Sequence, residues 1–369
     1  MIQRGVIRFR RPSLMLFLTA IFIFWAGTSA LRGTLGAANI VLISSYVQIF
    51  IMVFFIWQLC RTQEQHLALF QAFVLGSYVL AGSTIYSYIT HPFVPNALQG
   101  YERYNGIGGN ANGIANIMAL AIPIAWHLSL TSRNNFMRLV NLAYLPAGVL
   151  GIILTASRGG FIVAVMGLVL IIPLTLRYTN RSRKIIVVLS LALMCILVIR
   201  LVPPKNFERI AQTRSEITEG NFSNRSQIWR AGLEAYSEKP IFGVGTGAFK
   251  DATTPILGYS IDAHNVYVLI LTEMGIVGIT LFLLILAITI LPLLRLGSPE
   301  SPFYLALWLG LILSISVSND ENAQHLWTLL AIMTTRYAYV LRFSGETLKQ
   351  LPRRTRMLVQ RPMIKPPTR

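Results

Sequence analysis

The stretch SRGGFIVAVMGLVL, residues 157–170, starts with a serine, an arginine and two glycines and continues as an apolar run that begins to cross a membrane. Similar runs recur from Leu14 to Tyr339. Each reaches the ~17 to 25 residues that a helix needs to span a bilayer. The runs are continuous and lack the apolar and polar alternation of membrane β-strands. The sequence therefore predicts an all-α polytopic membrane protein.

Composition and charge support a membrane protein and argue against a nucleic-acid-binding protein. Of 369 residues, 54% are hydrophobic and 12% charged, which is more apolar than the surface of a soluble protein tolerates. The formal net charge of +18 could suggest a nucleic-acid partner, but the basic residues are distributed as membrane insertion requires, so we exclude one. Cys60 and Cys195 both lie in predicted spans. We therefore expect no disulfide and no thiolate metal site, and we predict no metal or other cofactor.

Ten membrane spans are predicted, with unequal charge on their two sides. In chain order they cover 14–30, 37–60, 67–90, 111–130, 139–156, 160–176, 185–202, 264–294, 302–318 and 325–341. With a cytoplasmic N-terminus, the inner segments collect 20 of the 32 Lys and Arg residues and the outer segments 11. The positive-inside rule therefore favours both termini in the cytoplasm.

The spans divide the chain into four parts. Residues 1–202 hold seven spans, 203–263 an outer loop, 264–341 three spans, and 342–369 a basic tail. The loop carries seven basic and seven acidic side chains, a balance typical of a folded, solvated segment. We predict a helical extracytoplasmic cap there, between spans seven and eight. The tail is expected to lie on anionic membrane lipids, and a docking site for a partner is the alternative.

Arg158 lies between two adjoining spans on the predicted outer side. Gly159 and Gly160 allow its backbone to approach a neighbour or a ligand closely. Two interpretations are open. The side chain either reaches lipid phosphates as a membrane anchor, or its planar donor fork binds a substrate phosphate at headgroup depth.

The segment SNRSQIWRAGLEAYSEKPIFGVGTGAF, residues 223–249, predicts a helix that ends near Glu238 and, after Pro240, a glycine-rich turn. Arg225 precedes Trp229 by one helical turn, so the two side chains project to the same side. Arg225 is either a solvated charge or a ligand-binding group. The turn is not interpreted as a nucleotide loop, because no strand precedes it and no P-loop lysine and serine follow it.

The segment DAHNVYVLILTEMGIVG, residues 262–278, opens the longest apolar run of the chain. The run is longer than one crossing requires, so we expect a change of direction at Gly275 or Gly278. His264 would lie at the outer interface. There its imidazole either accepts a proton from a sugar hydroxyl or serves only as a polar or capping group.

Further polar residues on the predicted outer side have more than one possible role. Arg103, Asn110 and Asn112 lie in a glycine-rich entry to the fourth span that could line a sugar site or only cap that helix. Asn265 is expected to orient neighbouring backbone, and Glu273 is a candidate salt-bridge partner.

Three stretches, SRGG, NRSQIWRAGLEAYSEKPIFGVGTGAF and AHNVYVLILTEMGIVG, occur in this order. In this combination, from about Asn110 to Pro292, the chain resembles the superfamily of O-antigen ligases and polymerases. The resemblance implies a membrane glycosyltransferase that takes an oligosaccharide or polysaccharide from undecaprenyl pyrophosphate at the outer leaflet, without a metal or a nucleotide sugar. It implies catalytic roles for Arg158, Arg225 and His264.

The implied chemistry assigns the two arginines to the pyrophosphate and the imidazole to the acceptor. Arg158 and Arg225 would stabilise the charge of the leaving group. His264 would remove the proton of the attacking hydroxyl, with inversion at the anomeric carbon. The predicted substrate-binding residues are these two arginines with Asn265, Asn110, Asn112, Arg103 and Trp229.

Several acceptors are compatible with the sequence. We favour a ligase that transfers finished glycan to an acceptor such as lipid A core, on the periplasmic side of the bacterial inner membrane, because chain and outer loop are both compact. The alternatives are a polymerase of lipid-linked repeat units for O-antigen or exopolysaccharide, and an enzyme that glycosylates secreted proteins. A transporter of lipid-linked sugars is less favoured, because the candidate residues cluster on one face rather than deep in the spans.

Overall fold

The computed structural model describes residues 9–31, 37–90, 103–107, 110–178, 225–295, 301–319 and 321–336, with six isolated positions between 185 and 200. This part of the chain is helical and contains no β-strand. Three predicted segments lie outside the described residues: most of the seventh span (185–202), the first portion of the cap (203–224) and the basic tail (342–369).

The helices follow the apolar runs of the sequence. In chain order they are α1 (Leu14–Ala30), α2 (Ala37–Leu59), α3 (Gln63–Thr90), α4 (Ala111–Thr131), α5 (Asn135–Leu154), α6 (Arg158–Tyr178), α7 (Arg225–Glu238), α8 (Phe249–Leu257), α9 (Val266–Arg295), α10 (Ser301–Ile315) and α11 (324–336). Helix α3 begins four residues before the predicted span, because hydropathy marks only the apolar part of a helix. Its polar first turn is capped by the Thr62 hydroxyl, which accepts from the Gln65 amide at 3.2 Å.

Five of the described helices are long and apolar enough to cross a membrane: α2, α3, α4, α5 and α9. Shorter apolar segments lie in α1, in α10 and in the part of α6 from Arg158 to Ile172. The prediction of an all-helical chain with apolar helices of membrane-spanning length is confirmed for the described residues, while the ten spans and the position of the cap stay predictions. Helix α8 was not predicted, because its nine residues are too few to show a clear apolar period.

Helix α4 forms the centre of one helical group. It packs against α3, α5, α6 and α10, and its side chains are buried along nearly its whole length. The contact with α6 is close because Gly160 lies on Ala115; a Cβ at Gly160 would come within 2.5 Å of the alanine methyl. Small residues at such crossings let two helix backbones approach and gain dispersion energy in lipid.

Helix α9 organises a second group, with α1 and α7 packed against it. The predicted change of direction in α9 occurs at Gly275, which has φ 67° and interrupts the helix. The glycine-rich turn after α7 lies across this interruption. Its backbone bonds α9 on both sides, with Val244 N–H donating to the Thr272 carbonyl at 2.9 Å and Ile276 N–H donating to the Pro240 carbonyl at 2.9 Å. The backbone groups left open by the break are thereby satisfied.

Long-range contacts sort the ends of the helices into two groups. At the first end, which we call the site end, His264 just before α9 contacts Asn319 in the segment after α10. At the opposite end, His66 of α3 contacts Thr335 of α11 at 2.9 Å, and Gln58 of α2 accepts from the Arg10 amide at 2.7 Å. The segments that the topology prediction places on one side of a membrane therefore lie together.

Candidate functional site

His264 lies at the site end, immediately before α9, and is half-buried. Its backbone is left-handed, with φ 49°, a conformation that is rare for a residue with a side chain. Its N–H donates to the Asn319 side-chain oxygen. On the other side, the Trp229 indole N–H of α7 donates to the Ala263 carbonyl at 3.0 Å. Two separate elements therefore hold the backbone that presents the imidazole.

The surroundings of His264 favour its neutral form. Burial is the main reason that its pKa is lowered, followed by the positive charge of Arg225. Lys250 and Arg103 lower the pKa further, while Asp262 opposes them. An imidazole with a lowered pKa is neutral at physiological pH and can accept a proton.

The charges that act on His264 come from different elements of the fold. Arg225 is the first residue of α7, and Arg103 belongs to the segment before α4. Lys250 of α8 forms an ion pair with Asp262 at 3.0 Å, and both side chains are half exposed. Arg225 and Arg103 thus both lower the His264 pKa, and their grouping with the imidazole in one substrate site stays a prediction.

Arg103 is held in a fixed orientation by two oxygens. Its Nε donates to the Thr155 carbonyl at 3.1 Å, and its Nη2 donates to the Asn112 side-chain oxygen at 2.7 Å. The same Asn112 oxygen accepts from the Ser157 hydroxyl at 3.0 Å. The start of α4 is thus tied to the turn between α5 and α6, and the Asn112 oxygen already has two donors.

Arg158 follows Ser157 and is the first residue of α6, where it is half-buried. The turn before it is strained, since Ala156 has φ 51°. On the other side, Gly159 lies against Val317, where a Cβ would come within 2.8 Å of a valine methyl. The turn that carries Arg158 is therefore wedged between α4 and the residues that follow α10.

Two predicted substrate-binding asparagines cap helices. The Asn110 oxygen accepts from the Asn112 and Gly113 amides at 3.1 and 3.4 Å, at the start of α4. The Asn265 oxygen accepts from the Tyr267 and Val268 amides at 2.9 and 3.1 Å, at the start of α9. These contacts match the capping role that the sequence left open, and a sugar contact by either side chain stays a prediction.

Glu273 has a different role from the one expected. Instead of pairing with a cation, its buried carboxylate accepts from the Gly247 amide at 2.8 Å and from the Phe249 amide at 3.1 Å. These amides lie at the start of α8, whose N-cap residue, Ala248, makes no side-chain hydrogen bond. For this candidate salt-bridge partner the structure thus shows a carboxyl group under backbone donors at a helix N-terminus.

Sequence reasoning did not single out Asn319, nor the contact between Lys250 and Asp262. Asn319 lies in a polar run, SVSND, between two apolar helices, which is the only signal for it. Within the described residues, no group of three His, Cys, Asp or Glu side chains is arranged to hold a metal ion.

A family model described as O-antigen ligase matches residues 142–283. The matched region contains Arg158, Arg225 and His264, whereas Arg103 and Asn319 lie outside it. No curated protein matches the chain significantly.

Proposed function

We propose, from the match of residues 142–283 to an O-antigen ligase family model, that the chain is a metal-independent glycosyltransferase acting on a lipid-linked glycan. The observation that carries the proposal is the setting of His264, whose pKa is lowered by burial and by Arg225 and Arg103. A neutral base beside several cations suits a reaction in which a hydroxyl is deprotonated and a pyrophosphate departs.

In the proposed reaction, the donor is an oligosaccharide or polysaccharide on undecaprenyl pyrophosphate. The acceptor hydroxyl oxygen attacks the anomeric carbon, and its proton passes to the His264 imidazole. The bond between the anomeric carbon and the pyrophosphate oxygen breaks, and the electron pair leaves with the pyrophosphate. Arg158 and Arg225 bind that group and stabilise its charge. Attack from the opposite face inverts the anomeric configuration.

We place the site on the periplasmic side of a bacterial inner membrane, with ten spans, an extracytoplasmic cap between spans seven and eight, and both termini in the cytoplasm. The support is the excess of basic residues in the predicted inner segments. The site end then faces the leaflet where the glycan of the donor is exposed.

The preferred acceptor is a separate glycan, such as lipid A core, which makes the protein a ligase. The alternative is a polymerase that adds one lipid-linked repeat-unit chain to another. Transport of lipid-linked sugars is less favoured, since the candidate residues gather at one end of the helices rather than along a path through them.

Purified protein in lipid nanodiscs, supplied with a defined undecaprenyl pyrophosphate glycan and several acceptors, tests the activity. A ligase yields glycan on the separate acceptor, whereas a polymerase yields longer lipid-linked chains. His264→Ala should lower turnover by about 10² to 10⁴ and leave donor binding intact. Unchanged turnover in a folded His264→Ala protein would remove His264 as the base.

The arginine roles are tested by conservative substitution. Arg225→Lys and Arg158→Lys should weaken donor binding about tenfold or more, because an ammonium lacks the planar fork that binds a phosphate through two hydrogen bonds. Arg230→Lys, on the same helix α7 and exposed, is the matched control and should bind donor as the wild type does. Equal binding by the three variants would show that only charge matters.

A further inference from the structure

We propose that Asn319 is a positioning residue that holds His264 in its reactive orientation, as part of a brace formed by residues 316–319. This inference rests on the proposed function, since it assigns Asn319 a role in the same reaction. The brace lies outside the region that matches the O-antigen ligase model.

The first step of the argument is the backbone of His264. Its φ of 49° puts a residue with a side chain in the left-handed region, which persists only where neighbouring groups impose it. The direction in which the imidazole leaves the chain depends on this torsion. Whatever fixes the peptide before His264 therefore also aims the imidazole.

That peptide is held from both sides by side chains distant in sequence. Its carbonyl, belonging to Ala263, accepts from the Trp229 indole at 3.0 Å, and its N–H, belonging to His264, donates to the Asn319 oxygen. The two bonds act on opposite edges of a single planar unit, so together they restrict its rotation. Trp229 reaches it from α7, and Asn319 from the far side.

The brace that carries Asn319 is itself fixed to both halves of the site. Val317 lies on Gly159, the residue after Arg158. The Ser316 side chain lies close to Tyr267, in the first turn of α9, and its hydroxyl donates to the Ile312 carbonyl at 2.7 Å. One short segment thus contacts the turn that bears Arg158 and the start of the helix that follows His264. It sets the spacing between the pyrophosphate-binding group and the base.

Removal of the Asn319 oxygen should misalign the base without removing it. Asn319→Ala should lower kcat about tenfold, the effect expected for one lost hydrogen bond, while the KM for the undecaprenyl pyrophosphate glycan stays within about twofold. Asn322→Ala, a half-buried asparagine in the same connector, is the matched control and should leave kcat unchanged.

Asn319→Asp separates positioning from general stability. It keeps the acceptor oxygen, so kcat at high pH should return close to the wild-type value. The added carboxylate beside His264 should also raise the imidazole pKa, which moves the acid limb of the kcat profile to higher pH. The recovery of kcat at high pH, which Asn319→Ala lacks, is the sign of positioning, whereas the pKa change reports only that residue 319 lies near the imidazole.

The outcomes distinguish the two proposals. If His264→Ala abolishes transfer but Asn319→Ala keeps the kcat of the wild type, the brace is overturned and the proposed function stands. The brace is also overturned if Asn319→Asp has a kcat as low as that of Asn319→Ala and its pH profile does not change. If His264→Ala itself transfers glycan normally, the proposed base is lost and the role of Asn319 with it.

Discussion

The charges around the His264 imidazole act in opposite directions, although two of them belong to one ion pair. Lys250 lowers the pKa of His264 and Asp262 raises it, while the two side chains contact each other at 3.0 Å. Neither is placed in the reaction itself. Their substitution therefore changes the electrostatic setting of the base and leaves the substrate-binding groups in place.

Neutralising either member of this pair should move the pH profile, and in opposite directions. A base is active when unprotonated, so activity falls as the pH drops through the His264 pKa. Lys250→Met removes a cation, raises that pKa and moves the acid limb to higher pH. Asp262→Asn removes an anion, lowers the pKa and moves the acid limb to lower pH. Profiles of kcat/KM for each variant measure the shifts.

Lys239→Met is the control for these two variants, since Lys239 is an exposed residue after α7 and is not among the charges that act on His264. Its acid limb should coincide with that of the wild type. Movement of the Lys250→Met and Asp262→Asn profiles in the same direction would mean that a group other than His264 sets the acid limb.

At the scale of elements, the junction of α9 with the glycine-rich turn depends on two close backbone approaches. Gly243 has φ 72° and faces Glu273, where a Cβ would come within 2.4 Å of the carbonyl group. Gly275 has φ 67° and faces the Ile241 carbonyl, with 2.3 Å left for a Cβ. Trp25 of α1 closes the junction by donating to the Met274 carbonyl at 3.0 Å.

Substitution of Gly275 should separate steric crowding from backbone strain. Gly275→Ala should cost about 3 kcal/mol or more, because the methyl meets a carbonyl that belongs to the backbone and the positive φ adds strain. Gly258→Ala, at the end of α8, has a similar φ of 79° and nothing within 4 Å of the added Cβ, so it should cost only about 1 kcal/mol. Thermal unfolding of both proteins in detergent provides the comparison, and equal midpoints would mean that crowding at Gly275 is relieved by movement of the turn.

At the scale of the whole molecule, His264 contacts Asn319 and is acted on electrostatically by Arg225 and Arg103 at one end of the helical groups, and His66 contacts Thr335 at the other. This division agrees with the predicted alternation of the chain across a bilayer. Under the proposed orientation, one surface would meet the donor while the other meets the cytoplasm.

Cysteine labelling tests which end faces outward. In a Cys60→Ala, Cys195→Ala background, Glu238→Cys at the end of α7 should react with a membrane-impermeant maleimide in intact spheroplasts. Glu64→Cys in the first turn of α3 should react only after the membrane is opened; both native glutamates are exposed. The reverse pattern would place the site end in the cytoplasm and contradict the proposed location.

Much of the helical framework could be predicted from the sequence because its signals are local. An apolar run of sufficient length forms a helix in lipid, where every backbone group needs an internal partner. A glycine that interrupts such a run marks a change of direction, as at Gly275. The candidate catalytic residues lie at or just before the first residue of a helix, so the predicted helix starts also locate them along the chain. They are Arg158, Arg225 and His264.

What only the tertiary structure decided is which distant partner each polar group meets. Asn319 reaches His264 across 55 positions of the chain, and Trp229 reaches Ala263 across 34. Glu273 caps α8 rather than binding a cation, because folding places backbone amides, not a side-chain charge, next to its carboxylate. Periodicity and hydropathy describe how each helix forms alone, whereas these hydrogen bonds exist only after the helices have packed, so the sequence determined the helices and the reactive groups, and the packing determined their orientation.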